Sequence, residues 1–254
     1  MIVRVLGGHG GLAKGFSTTS FLINSDLLVD AGSVAGPLSI EEQLKIENIL
    51  ITHCHLDHIK DLAFICDNCF GLKSDPFKVH THKTVNEIIQ KNLLNDIVWP
   101  DFSKLPNKAN PTISFHDLQP GKTVKVGKYE VTSILVNHPL DAMGFIINDG
   151  ESSVIFTGDT GPTDEIWKAA QKVSNLKGIF TEVSFPEELT RVAEISFHHT
   201  PKTIMEELKK MPGNIPVVLT HLKPNYRETI LREMSTYDLS RVKILERDGQ
   251  EFQF

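Results

Sequence analysis

The segment Ile49-Leu50-Ile51-Thr52-His53-Cys54-His55-Leu56-Asp57-His58 ends an apolar run on three histidines and one aspartate within six positions. Imidazole and carboxylate are borderline-to-hard donors that suit Zn, Mn or Fe. Alternation along an extended chain puts His53, His55 and Asp57 on one side, and a following turn brings His58 beside Asp57. Capping of the next helix would use one polar residue, not four, so capping alone does not account for the cluster. Two closely spaced donor groups could hold two metal ions if other segments add ligands. His138, Asp159 and His221 stand at the ends of apolar strands and are the candidates. Each alone reads as an ordinary structural residue, but strand ends at one sheet edge are where sites gather.

The elements that must position these residues follow from patterning. Short β-branched strands are expected at Ile2–Leu6, Thr19–Ile23, Leu27–Asp30, Ile49–Thr52, Lys78–His80, Thr123–Val126, Tyr129–Val136, Gly144–Asn148, Ser153–Thr157, Gly178–Val183, Val217–Thr220 and Val242–Leu245. Helices are expected near Ile40–Ile46, Ile59–Cys69, Thr84–Leu94, Thr163–Lys172, Pro201–Met211 and Tyr226–Met234. Asp149-Gly150 reads as a hairpin turn, and Thr200-Pro201 as a helix N-cap with proline at the first position. Thr163, with Asp164 and Glu165 in the first turn, reads as another helix start. Strands lead each half with helices interspersed, which suggests an α/β architecture of sheets carrying helices on their outer faces.

Composition sets outer bounds. The chain has 254 residues, 26 Lys+Arg against 32 Asp+Glu, a formal charge of −6, and 40% hydrophobic residues. It is too apolar for a disordered chain, and 17 glycines and 13 prolines are too few for a fibrous repeat. No linker, repeat or low-complexity tract divides it, so residues 1–254 read as one domain. No apolar run approaches the roughly 18 residues needed to span a bilayer. The acidic balance disfavours nonspecific nucleic-acid binding. Three cysteines do not make a disulfide framework, and the opening MIVRVLGGHGG lacks the regions of a signal peptide. Both point to the cytoplasm.

His53-x-His55-x-Asp57-His58 followed by His138, Asp159 and His221 resembles the metal-binding pattern of the metallo-β-lactamase superfamily. Val29-Asp30-Ala31-Gly32 extends the resemblance. Four further segments are similar to class II 3′,5′-cyclic-nucleotide phosphodiesterases: Thr18–Ile23, His55–Ile59, Gly158–Pro162 and Thr181–Pro186. The resemblance implies a four-layer α/β/β/α sandwich. It also implies two divalent ions, Zn foremost with Mn or Fe as alternatives. His53, His55 and His138 would hold one, Asp57, His58 and His221 the other, and Asp159 would bridge them. Asp30 would accept a hydrogen bond from a ligand imidazole and fix its tautomer. The implied reaction opens a cyclic nucleotide (cAMP or cGMP) to the 5′-monophosphate by attack of a metal-bridging hydroxide. Asp57 belongs to that machinery. His198 would protonate the leaving oxygen or steady the phosphate, and Glu182 would orient His198 or a ligand imidazole. The helix starting at Pro201 could add positive potential nearby. Two departures touch substrate preference: His9 stands where a smaller residue is expected, and Phe197-His198-His199-Thr200-Pro201 replaces a Gly-His-Leu-Thr-Pro form.

Other readings stay open. A tRNA 3′-processing nuclease shares the metal pattern but needs a basic extension, and no Lys/Arg/Gly-rich insertion is present. Thioester, lactone or lactam hydrolysis fits the same site, and a non-catalytic diiron oxygen or redox sensor is the reading from another class. The partner expected is a small-molecule cyclic nucleotide, with no membrane or nucleic acid; base preference and oligomeric state stay open, a homodimer included. Gly8-x-Gly10-x-x-Ala13 mimics a dinucleotide fingerprint, but the residues after it read as strand rather than helix. Cys66-x-x-Cys69 lacks a second pair, and Cys54 is expected to point into the core. His9, His80, His82, His116 and His199 read as ordinary structural or surface histidines. Phe16, Phe70, Trp99 and Phe185 are aromatics available to stack a purine, though core packing is the more ordinary role for each.

Overall fold

The computed structural model describes all 254 residues. Its strands are β1 (Ile2–Gly7), β2 (Ser20–Ile23), β3 (Leu27–Val29), β4 (Asn48–Leu50), β5 (Phe77–His82), β6 (Pro106–Asn107), β7 (Asn110–Pro111) and β8 (Ile113–Leu118). They continue with β9 (Thr123–Val126), β10 (Tyr129–Leu135), β11 (Met143–Asn148), β12 (Ser153–Phe156), β13 (Leu176–Glu182), β14 (Val217–Thr220), β15 (Val242–Ile244) and β16 (Glu251–Gln253). The helices are α1 (Ile40–Leu44), α2 (Leu56–Ile59), α3 (Asp61–Asn68), α4 (Lys83–Asn92), α5 (Glu165–Ala170), α6 (Thr190–Ser196), α7 (Pro201–Leu208) and α8 (Arg227–Met234). One seven-stranded sheet has the order β16-β1-β2-β3-β4-β5-β8, and a second has β15-β14-β13-β12-β11-β10-β9.

Side-chain alternation sorts the apolar residues into three clusters. Val29 and Leu50 turn inward and join Phe21, Phe145, Phe156 and Phe180 in a 20-residue cluster drawn from both sheets. Their neighbours Leu28 and Ile49 turn outward, into a 22-residue cluster with Leu62, Ile65, Val85 and Ile89 of α3 and α4. The second sheet repeats this: Ile155, Ile179 and Leu219 pack on Trp167, Ile204 and Ile230 of α5, α7 and α8 in an 18-residue cluster. The result is the expected four-layer α/β/β/α sandwich. Because both faces of each sheet are covered, β3 and β14 are buried at every residue.

Strand direction gathers the loops that matter. β3, β4, β5 and β8 run parallel, as do β12, β13, β14 and β15. β10 and β12 both pair antiparallel with β11, so β10 runs with β12. The loops after β4, β10, β12, β13 and β14 thus leave carboxyl ends, where sites form in open α/β sheets.

The sequence reading needs correcting at several places. The extended run after β4 stops at His55, the N-cap of α2, so Asp57 and His58 lie in a helical first turn and not on an alternating strand. Gly32 seats that turn: a Cβ there would sit 1.8 Å from the Asp57 carbonyl oxygen. The helix expected at Ile59–Cys69 accordingly starts at Leu56 and runs as α2 and α3. The α5 helix begins at Glu165, after an Asp164 N-cap whose φ of −123° is not helical, and the Thr163 N–H bonds to Glu207 Oε2 at 3.2 Å. Strands β8 and β16 and helix α6 carry patterns too short or too mixed to read. β8 is an edge strand with two exposed residues, and α6 buries only Ala193. The Asp149-Gly150 hairpin and the Thr200 cap of α7 are present, the latter as a capping box with Thr203.

Candidate metal centre

A neutral imidazole carries one N–H, so fixing the partner of one ring nitrogen fixes the other as a bare lone pair. His58 Nδ1 donates to Asp30 Oδ2 at 2.8 Å, and Asp30 is fully buried. The Thr52 hydroxyl spends its one proton on Asp30, at 2.9 Å from Oδ2, and accepts from His53 Nδ1 at 3.0 Å. His138 Nδ1 donates to the Phe197 carbonyl at 3.1 Å. The Ser184 hydroxyl donates to Glu182 Oε2 at 2.6 Å and accepts from His221 Nδ1 at 2.9 Å. Four Nε2 lone pairs are thereby turned toward one space, and they crowd. His58 and His221 Nε2 lie 3.4 Å apart, and His55 Nδ1 lies 3.0 Å from His53 Nε2 and 3.3 Å from His138 Nε2. Acceptors brought this close repel unless a proton or a Lewis acid lies between them. The donor set fits a divalent cation.

Asp159 sits at the junction. Its Oδ2 is 3.6 Å from His53 Nε2, 3.4 Å from His58 Nε2 and 3.3 Å from His221 Nε2, and the residue is 3% exposed. Two donor groups converge, each with its atoms within 4.8 Å: His53, His55, His138 and Asp159, and Asp57, His58 and His221. Burial pushes His53 well below the ordinary imidazole range, with His58 adding to the effect, and burial also lowers His55 and His138. Burial opposes the charged form of His58 too, yet Asp159 and Asp30 outweigh it and hold His58 well above that range. In Asp159 burial is outweighed by His221 and His58, which keep its carboxyl well below the usual range. Burial thus favours neutral His53, His55 and His138, and Asp159 stays ionised, the states that metal ligands require, while Asp159 and Asp30 hold on His58 a proton that a bound cation would displace.

Beside these groups lies a buried carboxylate with four donors. Glu182, 1% exposed, accepts from His198 Nδ1 at 2.7 Å, Ser184 Oγ at 2.6 Å, Thr160 N at 3.0 Å and His199 N at 3.3 Å. Burial would raise this carboxyl, but His198 outweighs it and brings the value to about 2. Burial would lower His198, and Glu182 outweighs that in turn and raises it. A nitrogen of His198 lies within 4.8 Å of donor atoms of Asp159 and His221. The start of α7 offers less than its position suggests: the Lys202 N–H is taken by Glu187 and the Thr203 N–H by Thr200.

A family model described as the beta-lactamase superfamily domain matches residues 26–222. The chain belongs to this superfamily. Its fold implies bound divalent metal ions, and the superfamily relatives make it a hydrolase. Among relatives, it is 26% identical over 179 residues to a probable metallo-hydrolase, YhfI, of Bacillus subtilis, covering 65% of this chain and 66% of that one. It is 26% identical over 267 residues to a 3′,5′-cyclic-nucleotide phosphodiesterase of Schizosaccharomyces pombe, covering 89% and 74%. A ribonuclease Z of Thermococcus sibiricus matches at 30% over 110 residues, covering 42% of this chain and 32% of that one. The crystal structure of unliganded yeast PDE1 shares the fold, with a TM-score of 0.81, 18% identity and 98% coverage of both chains.

The glycine-rich stretch after β1 has a steric purpose. A Cβ on Gly10 would lie 2.8 Å from the His221 ring, so the loop packs directly on that side chain. No helix follows it; β2 does. His9 is buried edge-on to Phe16, with Asp248 3.5 Å from its Nε2. Cys66 and Cys69 are buried free thiols, and Cys54 packs partly against the outer cluster of the first sheet. His80 stacks on His116, and His82 lies 3.5 Å from Asp141, away from the donor groups. His199 is fully buried and bonds to Thr203 at 3.1 Å. Of the aromatics, only Phe185 borders the site, edge-on to His198; Phe16, Phe70 and Trp99 pack on His9, Phe102 and Phe64. Thr52, Ser184 and the Phe197 carbonyl went unread in the sequence, because hydroxyls and carbonyls carry no spacing signature.

Proposed function

We propose that the chain is a dinuclear metal-dependent phosphodiesterase that hydrolyses 3′,5′-cyclic nucleotides, cAMP or cGMP, to 5′-monophosphates. The observation that carries this is the pair of donor groups with Asp159 Oδ2 between them, within 3.6 Å of His53, His58 and His221 Nε2, and the Glu182–His198 pair at their side. In this reading His53, His55 and His138 bind one ion, Asp57, His58 and His221 the other, and Asp159 both. Zn is the first choice, with Mn and Fe as alternatives. Such a pair of ions supplies an activated water and a Lewis acid for phosphoryl oxygens. The protein's own groups do the rest. Asp30 and Thr52 hold His58 and His53 in the tautomers that present Nε2, and Ser184 and the Phe197 carbonyl do so for His221 and His138. Glu182 keeps His198 protonated, and His198 delivers that proton to the departing ester oxygen. The fission-yeast relative named as a 3′,5′-cyclic-nucleotide phosphodiesterase, matched over most of both chains, supports the substrate class.

The test is metal analysis combined with a screen of cyclic mono- and dinucleotides after Zn, Mn or Fe reconstitution. Two equivalents of metal and turnover of a cyclic mononucleotide, lost in Asp57→Ala and Asp159→Ala, are expected. Silence across all cyclic nucleotides and all three metals sinks the reading. A second reading, tRNA 3′-end cleavage, is favoured by the ribonuclease Z match and opposed by the −6 net charge. Cleavage of a precursor tRNA by the reconstituted protein would replace the first reading with the second. Thioester or lactone turnover would point to another ester-like substrate, and reversible oxygen-dependent spectra without hydrolysis to a diiron sensor.

A further inference from the structure

Phe197 ends α6 at φ 56° and ψ 56°, in the left-handed region. That conformation costs an L-residue about 1–2 kcal/mol, more than a bulky side chain ordinarily bears without a reason. Glycine is the usual occupant of such a helix end. The backbone there is held on several sides: the Phe197 N–H bonds to Glu194 O, its carbonyl accepts from His138, and the Gly161 backbone packs against its Cα. The ring lies at the surface rather than in the core. It is 39% exposed and belongs to none of the three apolar clusters. A strained, exposed aromatic thus sits between His138, through its carbonyl, and His198, through the chain. The loop after His138 repeats the pattern. Leu140 has φ 62°, is 48% exposed and likewise joins no cluster.

We propose that Phe197, with Leu140 two residues beyond His138, is the specificity-determining wall that receives the planar aromatic part of the substrate, the nucleobase of a nucleotide, while the phosphate lies at the donor groups. This deepens the cyclic-nucleotide reading and rests on it for the substrate class. Stacking on an aromatic side chain is favourable and tolerant of base identity. Strained backbone positions cluster at ligand sites, where the strain presents a group to the ligand.

The experiment measures binding, so it does not depend on turnover. The Zn-loaded protein is titrated calorimetrically with adenosine 5′-monophosphate and with ribose 5-phosphate, which lacks the base. The wild type is expected to prefer the base-bearing ligand by at least about tenfold, in line with alanine-substitution effects on stacked bases. Phe197→Ala should remove most of that preference while ribose 5-phosphate affinity stays within about twofold. Phe197→Leu should keep part of it. Phe197→Gly should lose the preference and yet raise Tm by about 2–4 °C by relieving the left-handed strain. A purely structural ring would lower Tm instead. Equal preference in wild type and Phe197→Ala, or no preference in the wild type, overturns the inference. A preference lost in Phe197→Ala without any cyclic-nucleotide hydrolysis supports the inference and discards the reaction. Hydrolysis of cyclic nucleotides with the preference untouched by Phe197→Ala does the reverse.

Discussion

Replacing Asp30 by asparagine tests whether one buried carboxylate sets the tautomers on both sides of the centre. Every contact that Asp30 makes here is with a donor. Oδ1 accepts from Thr52 N at 2.8 Å, Oδ2 from His58 Nδ1 at 2.8 Å, and the Thr52 hydroxyl lies within 3.0 Å of both oxygens. Asparagine keeps the shape but must turn its NH2 toward one of these donors. If the amide oxygen stays on Thr52 N, the NH2 faces His58 Nδ1 and drives the ring proton to Nε2, the nitrogen a metal needs bare. The Thr52 hydroxyl keeps the amide oxygen but trades its second acceptor for an NH2 donor, which competes with His53 Nδ1 for the hydroxyl's lone pairs and disturbs that tautomer as well. A hydrogen bond to a charged group contributes about 1.5–3 kcal/mol, and each 1.4 kcal/mol is tenfold. Metal affinity should therefore fall about 10- to 100-fold, the range known for outer partners of ligand histidines. Thr52→Val is the companion, since it removes only the hydroxyl between Asp30 and His53. Competition with a chromophoric chelator should show both binding steps weakened in Asp30→Asn and one in Thr52→Val, with far-UV circular dichroism unchanged. Two full-affinity equivalents in Asp30→Asn, or equal weakening of both steps in Thr52→Val, would refute the relay.

Other expectations follow from neighbouring contacts. Glu182 raises His198, so protonated His198 is present below its elevated pKa and lost as pH rises through it; Glu182→Gln should move the basic limb of kcat to lower pH in a pH–rate profile. Gly10→Ala would place a methyl 2.8 Å from the His221 ring, and should reduce bound metal to about one equivalent by elemental analysis while the fold persists. Stripping metal with a chelator should lower Tm, and returning Zn should raise it in a concentration-dependent way, because the converging donors hold a cation only in the folded chain.

The run from His53 to His58 was legible because its donors fall within six positions after an apolar strand. The distant partners could be picked out because His138, Asp159 and His221 each follow a strand that alternates or runs apolar. The geometry within the run was not legible. Helical hydrogen bonding from His55 onward depends on Gly32 lying against Asp57, a contact 25 positions away in sequence. The hydroxyl relays through Thr52 and Ser184 were hidden for a related reason, since a serine or threonine becomes a relay only once tertiary packing sets a histidine and a carboxylate on either side. Phe197 illustrates the opposite case: its departure from an expected glycine was visible in the sequence, but the left-handed backbone that makes the departure costly was not.

The donors are divided between the two sheets. His53, His55, Asp57 and His58 hang from the loop after β4 in the first sheet, and His138, Asp159 and His221 from loops of the second. Between the sheets lies chiefly the apolar cluster, with few directed links such as the Tyr129 hydroxyl to Asp26 and Met143 N to Thr52 O. Ions held at the rim would add directed bonds, fastening one edge of the sandwich as a clasp fastens a book. Parting of the sheets at that edge and escape of an ion then become a single fluctuation. The rate at which the centre exchanges its metal would report how often the sandwich breathes.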